Sequence, residues 1–443
     1  MRCKRRGTVS PSCSQEPRPA GLPVGPGLAS RLLSLRRFAG LKRTLRAMRY
    51  RNYRLYFGGQ GISLTGSWMQ QVAMGWLVYR LTGSAFYLGL VAFFAQVPVI
   101  FMSPFSGVLA DRWDRMRIML AAQGLAMVQA LLLAFLMFSG AIAPWHLLPL
   151  AFLLGTANAL DAPARHSFIV QVVERKEDLG NAIALNSAMF NGARLVGPPI
   201  AGLLVALTGE GICFLINGIS YLAVIFALLA MRFESKKAVA VKLNFWSQLR
   251  EGFVYTFGLQ PIRLIMALIA WISLVGMSYL TLMPVFVGKA LNGGPHSLGF
   301  LMGAAGCGAL LGALVLASRP DTRGLEKIMV GGSVTFSLGL VALSLARVFW
   351  QAMPLLFLGG MGMMVQMASA NTYLQHLVSD DKRARVMSIY TMAFIGATPI
   401  GSFLFGTLAS GIGVRSALAC GGVLSLAGTM VFAHRFLPLR GYN

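Results

Sequence analysis

Twelve separate runs of about 20 predominantly apolar residues recur along this chain, each long enough to cross ~30 Å of hydrocarbon as a helix. They lie near 56–79, 86–110, 116–139, 145–164, 183–207 and 211–231, then 264–287, 298–318, 327–346, 351–372, 387–409 and 414–434. Composition agrees: 56% hydrophobic residues, 12% charged and a mean hydropathy of +0.66 fall outside the range of soluble domains. The predicted fold class is an all-α membrane protein with twelve transmembrane helices.

Charge placement predicts the topology. Of the 39 Lys and Arg residues, 34 fall in the N-terminal segment, the 232–263 segment, the alternate short loops that share their side, and the tail. Basic residues in short loops are retained on the cytoplasmic side, so both termini are predicted cytoplasmic and the chain is placed in the cytoplasmic (inner) membrane. A net charge of +25 raises the question of nucleic acid. Its distribution points instead to topology and contact with anionic headgroups, with no nucleic-acid partner.

Residues 1–47 form a basic extension rich in Pro, Gly and Ser, read as disordered or as a surface helix from Leu28 onward. It has no apolar core of the kind a secretory signal needs. The five cysteines and five histidines show no disulfide or zinc spacing, so no metal and no cofactor are expected. No Walker-type glycine loop or nucleophile-base pair lies among the spans, which argues against an ATP-driven machine and against an enzyme.

The hydrophilic stretch 232–262 divides the spans six and six, into a bundle at 48–231 and another at 263–435, with a tail at 436–443. Within it, Phe245-Trp-Ser-Gln-Leu-Arg-Glu-Gly-Phe-Val-Tyr has the spacing of an amphipathic surface helix. Repeated halves of this kind suggest a transporter with its substrate near the bilayer midplane. Pro199-Ile-Ala-Gly202 in the fifth span and Pro399-Ile-Gly401 in the eleventh carry a trace of the repeat.

Between the second and third spans, Asp111 to Arg117 packs five charges into seven residues. Asp111 can accept charge-assisted hydrogen bonds from an Arg, or face the partly positive start of another helix. Arg165 and the start of the eleventh span near Arg385 are its candidate partners. Contacts to that helix would cross between halves only when the cytoplasmic side is shut.

Gly107, Leu109, Asp111, Arg112 and Arg115 match the loop signature Gly-x-Leu-x-Asp-Arg-x-x-Arg, by which the chain resembles the major facilitator superfamily. Arg51-Asn-Tyr-Arg-Leu-Tyr-Phe, Asn181-Ala-Ile-Ala-Leu-Asn186, Gly197-Pro-Pro-Ile-Ala-Gly202 and Arg385-Val-Met-Ser-Ile-Tyr390 are similar to its bacterial drug-efflux branch, which includes the enterobactin exporter. The likeness runs from about Met48 to the tail. It implies two six-helix bundles related by pseudo-twofold symmetry and a latch at Gly107, Asp111, Arg112 and Arg115, with Asp161 and Arg165 beside it. It also implies proton antiport, although this sequence places its acids in loops or at span ends, leaving Asp111, Asp161 and Glu210 as candidates.

Arg194 falls inside the fifth span, about 18 Å along it at 1.5 Å per residue. A charge at that depth needs a partner or a wet cavity. Asn158, Asn186, carbonyls freed by the following prolines and an anionic substrate are the partners open to it. Gly197, Pro198, Pro199 and Gly202 predict a bend or a close helix approach, as Pro399 and Gly401 do later in the chain.

The resemblance places a cavity between the first, fourth, seventh and tenth helices. Gln60, Trp68, Gln71, Asn158, Trp271, Tyr279, Gln366 and Asn371 are its candidate lining. Amides and aromatics without intramembrane acids suit small amphipathic neutral or anionic molecules. Proton-coupled export by a monomer is the leading function, with import of a metabolite or a non-transporting scaffold or sensor as the alternatives.

Overall fold

In a computed structural model, residues 45–438 are described except 113, 174, 232–244, 320 and 322. The side chains of 103–112, 166, 167, 170, 176, 245–249, 380, 381 and 384 also lie outside the description, so the expectations for the basic extension and for Gly107, Asp111 and Arg112 do too. The first six spans are α1 (Arg51–Thr82), α2 (Ala85–Arg112), α3 (Arg115–Phe138), α4 (Pro144–Val172), α5 (Leu179–Thr208) and α6 (Glu210–Ala230). After α7 (Phe245–Gly258) come α8 (Gln260–Ala290), α9 (Pro295–Ala317), α10 (Leu325–Leu345), α11 (Phe349–Leu377), α12 (Asp380–Ile412) and α13 (Val414–Phe436).

Among the described residues, eleven of these helices pass for membrane spans on length and hydropathy alone. The twelfth is α1, whose polar residues lower its average hydropathy. Gln60, Ser63 and Gln70 are buried in the protein. Outward positions carry the apolar belt, including Phe101, Phe135 and Phe226. Trp145 and Trp350 open the equivalent helices α4 and α11 and stand 66% and 75% exposed, the placement of interfacial aromatics.

Several helices outrun their apolar cores. The fourth span reaches Val172 instead of 164, and the eleventh begins at Asp380 instead of 387. Hydropathy marks the segment in hydrocarbon, whereas the helix continues while its backbone can still hydrogen-bond.

Packing repeats itself after six spans. The pairs α1·α6, α2·α4, α3·α6, α1·α5 and α3·α4 recur as α8·α13, α9·α11, α10·α13, α8·α12 and α10·α11. The linking turns repeat as well. Gly209 between α5 and α6 has φ 84° and ψ 173°, and Gly413 between α12 and α13 has φ 86° and ψ 155°. Only glycine takes that backbone cheaply, so both one-residue turns rest on it.

An even number of crossings puts both termini at one end, called here the terminal end, with the far end opposite. At the terminal end, Asp178 takes charge-assisted bonds from Arg49 and from the Tyr50 hydroxyl, the latter at 2.7 Å. The Ala47 amide donates to Asn181 at 2.9 Å and the Tyr53 hydroxyl to the Ala182 carbonyl at 2.9 Å. The tyrosines before the first span and the asparagine block before the fifth therefore pin α1 to α5.

At the far end, Arg80 donates from two nitrogens to Glu210 at 2.9 and 3.0 Å, tying the end of α1 to the start of α6. Glu210 is buried, while Arg80 is half-exposed. The helix start also favours the negative charge. Glu210→Gln is expected to cost about 1–2 kcal/mol, because one charge-assisted bond goes but water can still reach the arginine. Purified variant should melt at lower temperature in detergent; an unchanged melting curve would show that the pair contributes nothing.

Candidate functional site

The two groups of six helices meet along two seams, α2·α12 and α5·α9. A side chain added at Gly89 would lie 2.5 Å from the Ser402 carbonyl, and one at Gly299 would lie 2.4 Å from the Pro198 carbonyl. Gly202 faces Gly299 and Gly406 faces Gly89 at about 2.9 Å by the same measure. Phe403 packs on Phe86 and Phe93 beside the first seam. All these positions lie in the far halves of their helices, so backbones close enough to exclude a Cβ bring the two groups together there.

The residues Gly197, Pro198, Pro199 and Gly202 find their use in this seam. Helix α5 is continuous from Leu179 to Thr208, and its small face packs on Pro295, Gly299 and Gly303 of α9. Gly401 similarly abuts the Leu274 carbonyl of α8 within its own group. The marked irregularity is elsewhere. Helix α8 contains two π-helical turns, Ile272–Gly276 and Phe286–Ala290, which the sequence reading did not anticipate. Such turns concentrate at functional sites, and α8 lines the cavity described next.

A cavity of about 550 Å³ opens between the two groups. Its polar groups come mostly from the first group of helices, set among apolar side chains such as Val91, Ala95, Ala126 and Leu154. Helix α1 contributes Gln60, Ser63, Ser67 and Gln71 at the spacing of one helical face, and α4 contributes Asn158 and Asp161. Asn217 donates to Gln70 at 2.7 Å, and Gln70 donates to Gln129 at 2.8 Å, a chain of amides crossing α6, α1 and α3. Gln123 donates to Asp161 at 2.9 Å, and Arg165, one turn further on α4, lies 3.3 Å from the other carboxylate oxygen. The buried Nε2 of Gln60 and Oε1 of Gln123 have no protein partner, so polar groups within the cavity remain unsatisfied by the protein.

The face on the second group is mostly apolar. Met277, Leu280 and Pro284 from α8, Met302 from α9, and Phe394 and Ile395 from α12 form most of it, with Thr281, Thr398 and Ser402 interspersed. Trp68 also lines the cavity, edge-on to Phe190 of α5 at 5.8 Å between ring centroids.

Four of the eight expected lining residues are present: Gln60, Trp68, Gln71 and Asn158. The other four are not. Trp271 is 37% exposed and donates its indole N–H to the Leu424 carbonyl at 2.8 Å, on the side of α8 that packs against α13. Tyr279 is buried against Phe336 inside the second group. Gln366 is buried within that group, and Asn371 accepts a bond from Gln375. Residue type marked them, but the helix face they occupy turns them away.

One charge assignment also changes. Asp161 is no span-end acid: α4 continues eleven residues beyond it, and the carboxylate is 7% exposed in the cavity wall. Arg165 pairs with Asp161 along the same helix. Arg385, expected near Asp111, is held with Lys382 by Glu251 of α7, at 2.6 and 3.0 Å respectively. The hydrogen bond from Lys382, aided by Arg385, pulls the Glu251 carboxyl below the usual carboxylate range. That docking is therefore complete above the ordinary Glu pKa and lost as pH falls through the lowered value.

Among the described residues, a side-chain neighbour of Arg194 is an aromatic ring. Its guanidinium carbon stands 5.8 Å from the centroid of the Trp68 ring, while Asn186 receives the Tyr56 hydroxyl at 3.4 Å.

Residues 43–441 match the family model described as Transmembrane secretion effector. The chain belongs to this family. It is thus a major facilitator protein, a multi-pass membrane transporter and not an enzyme. It is 24% identical over 387 residues to the Staphyloferrin A transporter of Staphylococcus aureus, covering 85% of this chain and 94% of that one. It is 22% identical to Macrolide efflux protein A of Streptococcus pyogenes, covering 85% and 95%. With Multidrug efflux pump Tap of Mycobacterium tuberculosis the identity is 25%, covering 81% and 85%.

Solved structures agree on the fold. The nucleoside transporter NupG superposes with a TM-score of 0.67 at 13% identity, over 87% of this chain and 98% of that one. A bacterial homologue of the iron transporter ferroportin in its inward-facing state gives 0.67 at 15%, over 88% and 98%.

Proposed function

We propose that this protein exports small amphipathic molecules by alternating access, exchanging them for protons at Asp161. The observation that carries the reading is the two-faced cavity, whose amides come from the first group of helices and whose face on the second group is mostly apolar. A molecule with one polar and one greasy side satisfies both walls, whereas a sugar leaves the second wall unused. The named activities of the relatives, siderophore transport and macrolide and multidrug efflux, belong to the same class of cargo. Cells overexpressing the protein should retain less of a fluorescent amphiphile than cells lacking it; equal retention would refute export.

The basic loops support a cytoplasmic terminal end, where they would meet anionic headgroups. In this reading the far-end seams are the closed gate, and the cavity is poised to load from the cytoplasm. Residues 48–231 and 263–435 rock about it as two bodies within one monomer, joined by 232–262. The Asp161 carboxylate can hold a proton or accept hydrogen bonds from cargo. Competition between the two is what an exchange requires.

Closing the terminal end brings Gly107, Asp111, Arg112 and Arg115 against the start of α12. Arg385 then exchanges Glu251 for Asp111. Asp111→Asn should leave expression intact and shift the population toward the terminal-open state. Cysteine accessibility near Tyr390 would rise; identical labelling of variant and parent would rule the latch out.

A further inference from the structure

We propose that three carboxamides, those of Gln71, Gln96 and Asn158, are the recognition groups of the cavity, so that cargo is chosen by hydrogen bonding and not by charge. The preferred cargo is then an amphiphile, neutral or anionic, whose polar end carries carbonyl, hydroxyl, sulfonyl or carboxylate oxygens. This rests on the transport reading above and names its substrate class. All three residues line the cavity, Gln71 from α1, Gln96 from α2 and Asn158 from α4. Gln71 and Asn158 are exposed and Gln96 is half-buried. Gln71 lies eleven residues before the end of α1, Gln96 eleven after the start of α2 and Asn158 fourteen after the start of α4. At 1.5 Å per residue they share a level about 17–21 Å in from the far end.

These amides differ from their neighbours in being unspent. Among the described residues, none of the three side chains makes a hydrogen bond within the protein. Other polar groups of the lining are committed. Gln70 is bonded to Gln129 and Asn217, the Ser67 hydroxyl donates to the Ser63 carbonyl at 2.9 Å, and the Thr398 hydroxyl donates to the Phe394 carbonyl at 3.0 Å. The hydroxyls of Thr281 and Ser402 lie 3.0 Å apart and satisfy each other. The lining holds one acid and one base, Asp161 and Arg165, and they neutralise each other at 3.3 Å. Cargo that displaces water from the three amides without replacing its hydrogen bonds leaves them unpaired, at a cost. Cargo that brings matching oxygens and N–H or O–H groups to their level avoids it.

A carboxamide offers N–H donors and an acceptor oxygen on one group, and rotation about its terminal bond turns either toward a ligand. Three of them on three helices can therefore meet polar ends of different shape. The apolar part of the same ligand falls against Leu280, Met302 and Phe394 of the second group.

The test is binding to purified full-length protein in detergent, read by probe fluorescence. Dansylamide serves as the neutral hydrogen-bonding probe, dansylglycine as its anionic relative, and dimethylaminonaphthalene, the same ring without the sulfonyl group, as the apolar control. Wild type is expected to bind both dansyl compounds more tightly than the control. Its affinity for dansylglycine should stay within about twofold from low to high salt, since screening weakens charge pairing and spares matched hydrogen bonds. Gln71→Met, Gln96→Met and Asn158→Leu should each weaken dansylamide about three- to tenfold, the effect of one lost hydrogen bond, while leaving the control within about twofold. Equal affinity of wild type and all three variants for dansylamide, a parallel loss of dansylamide and the control in all three, or dansylglycine binding that collapses at high salt would overturn the assignment. Amide-dependent binding of dansylamide without any movement across a bilayer would leave it intact and refute the transport reading instead.

Discussion

A valine at Gly299 should hold the far end of the molecule open. Its Cβ would fall 2.4 Å from the Pro198 carbonyl and 2.9 Å from the Gly202 Cα, backbone atoms that cannot move without moving α5 away from α9. Overpacking of this kind costs about 1–3 kcal/mol, and it falls only on the state in which this seam is closed. States of a transporter differ by a few kcal/mol, so the population should shift about tenfold or more toward the far-end-open form. Spin labels at Ser84 and Ser410, near the far ends of α2 and α12, should report a longer distance in the variant. Transport should fall at least tenfold because one half of the cycle becomes inaccessible. Gly331→Ala, where an added Cβ meets nothing within 4 Å, is the control and should change neither reading. An unaltered distance distribution in Gly299→Val would mean that the seam is no gate.

Asp161→Asn should uncouple the protein from the proton gradient. The substitution keeps an oxygen that can accept from Gln123 but removes the charge facing Arg165 and the group that can take up a proton. In proteoliposomes, the variant should transport at least tenfold more slowly than its parent under an imposed pH gradient. It should move cargo equally with the gradient present or absent. Retention of the full response to the gradient would remove Asp161 from the coupling role. The fold should survive, since the partner Arg165 remains partly exposed and water can take up its unpaired charge.

The fold was legible because a bilayer leaves few choices. Apolar length and the placement of basic loops yield twelve crossings, and even the weakly hydrophobic first helix was recognisable from the runs around it. The site was legible where one helix face gathers several polar side chains. On α1, Gln60 and Gln71 share such a face with Ser63 and Ser67, and both line the cavity. Trp271 and Tyr279 carried no such pattern, since a single aromatic on an apolar helix fits cavity, lipid and packing alike. Depth was equally hidden for Asp161. A carboxylate late in a mainly apolar run reads as the end of a span, and only the continued helix shows it to be inside. The π-helical turns of α8 left no mark in apolar Ile272–Gly276.

Directional transport through the two-faced cavity is the claim on which the rest depends, and vesicles from cells expressing the protein test it most directly. Inside-out vesicles expose the proposed cytoplasmic face to added carboxyfluorescein. They should accumulate the dye when their interior is acidified, and lose that uptake when the pH gradient is collapsed or when Asp161 is replaced by Asn. Uptake confined to right-side-out vesicles, or no protein-dependent uptake of any amphiphile in either orientation, would contradict the account.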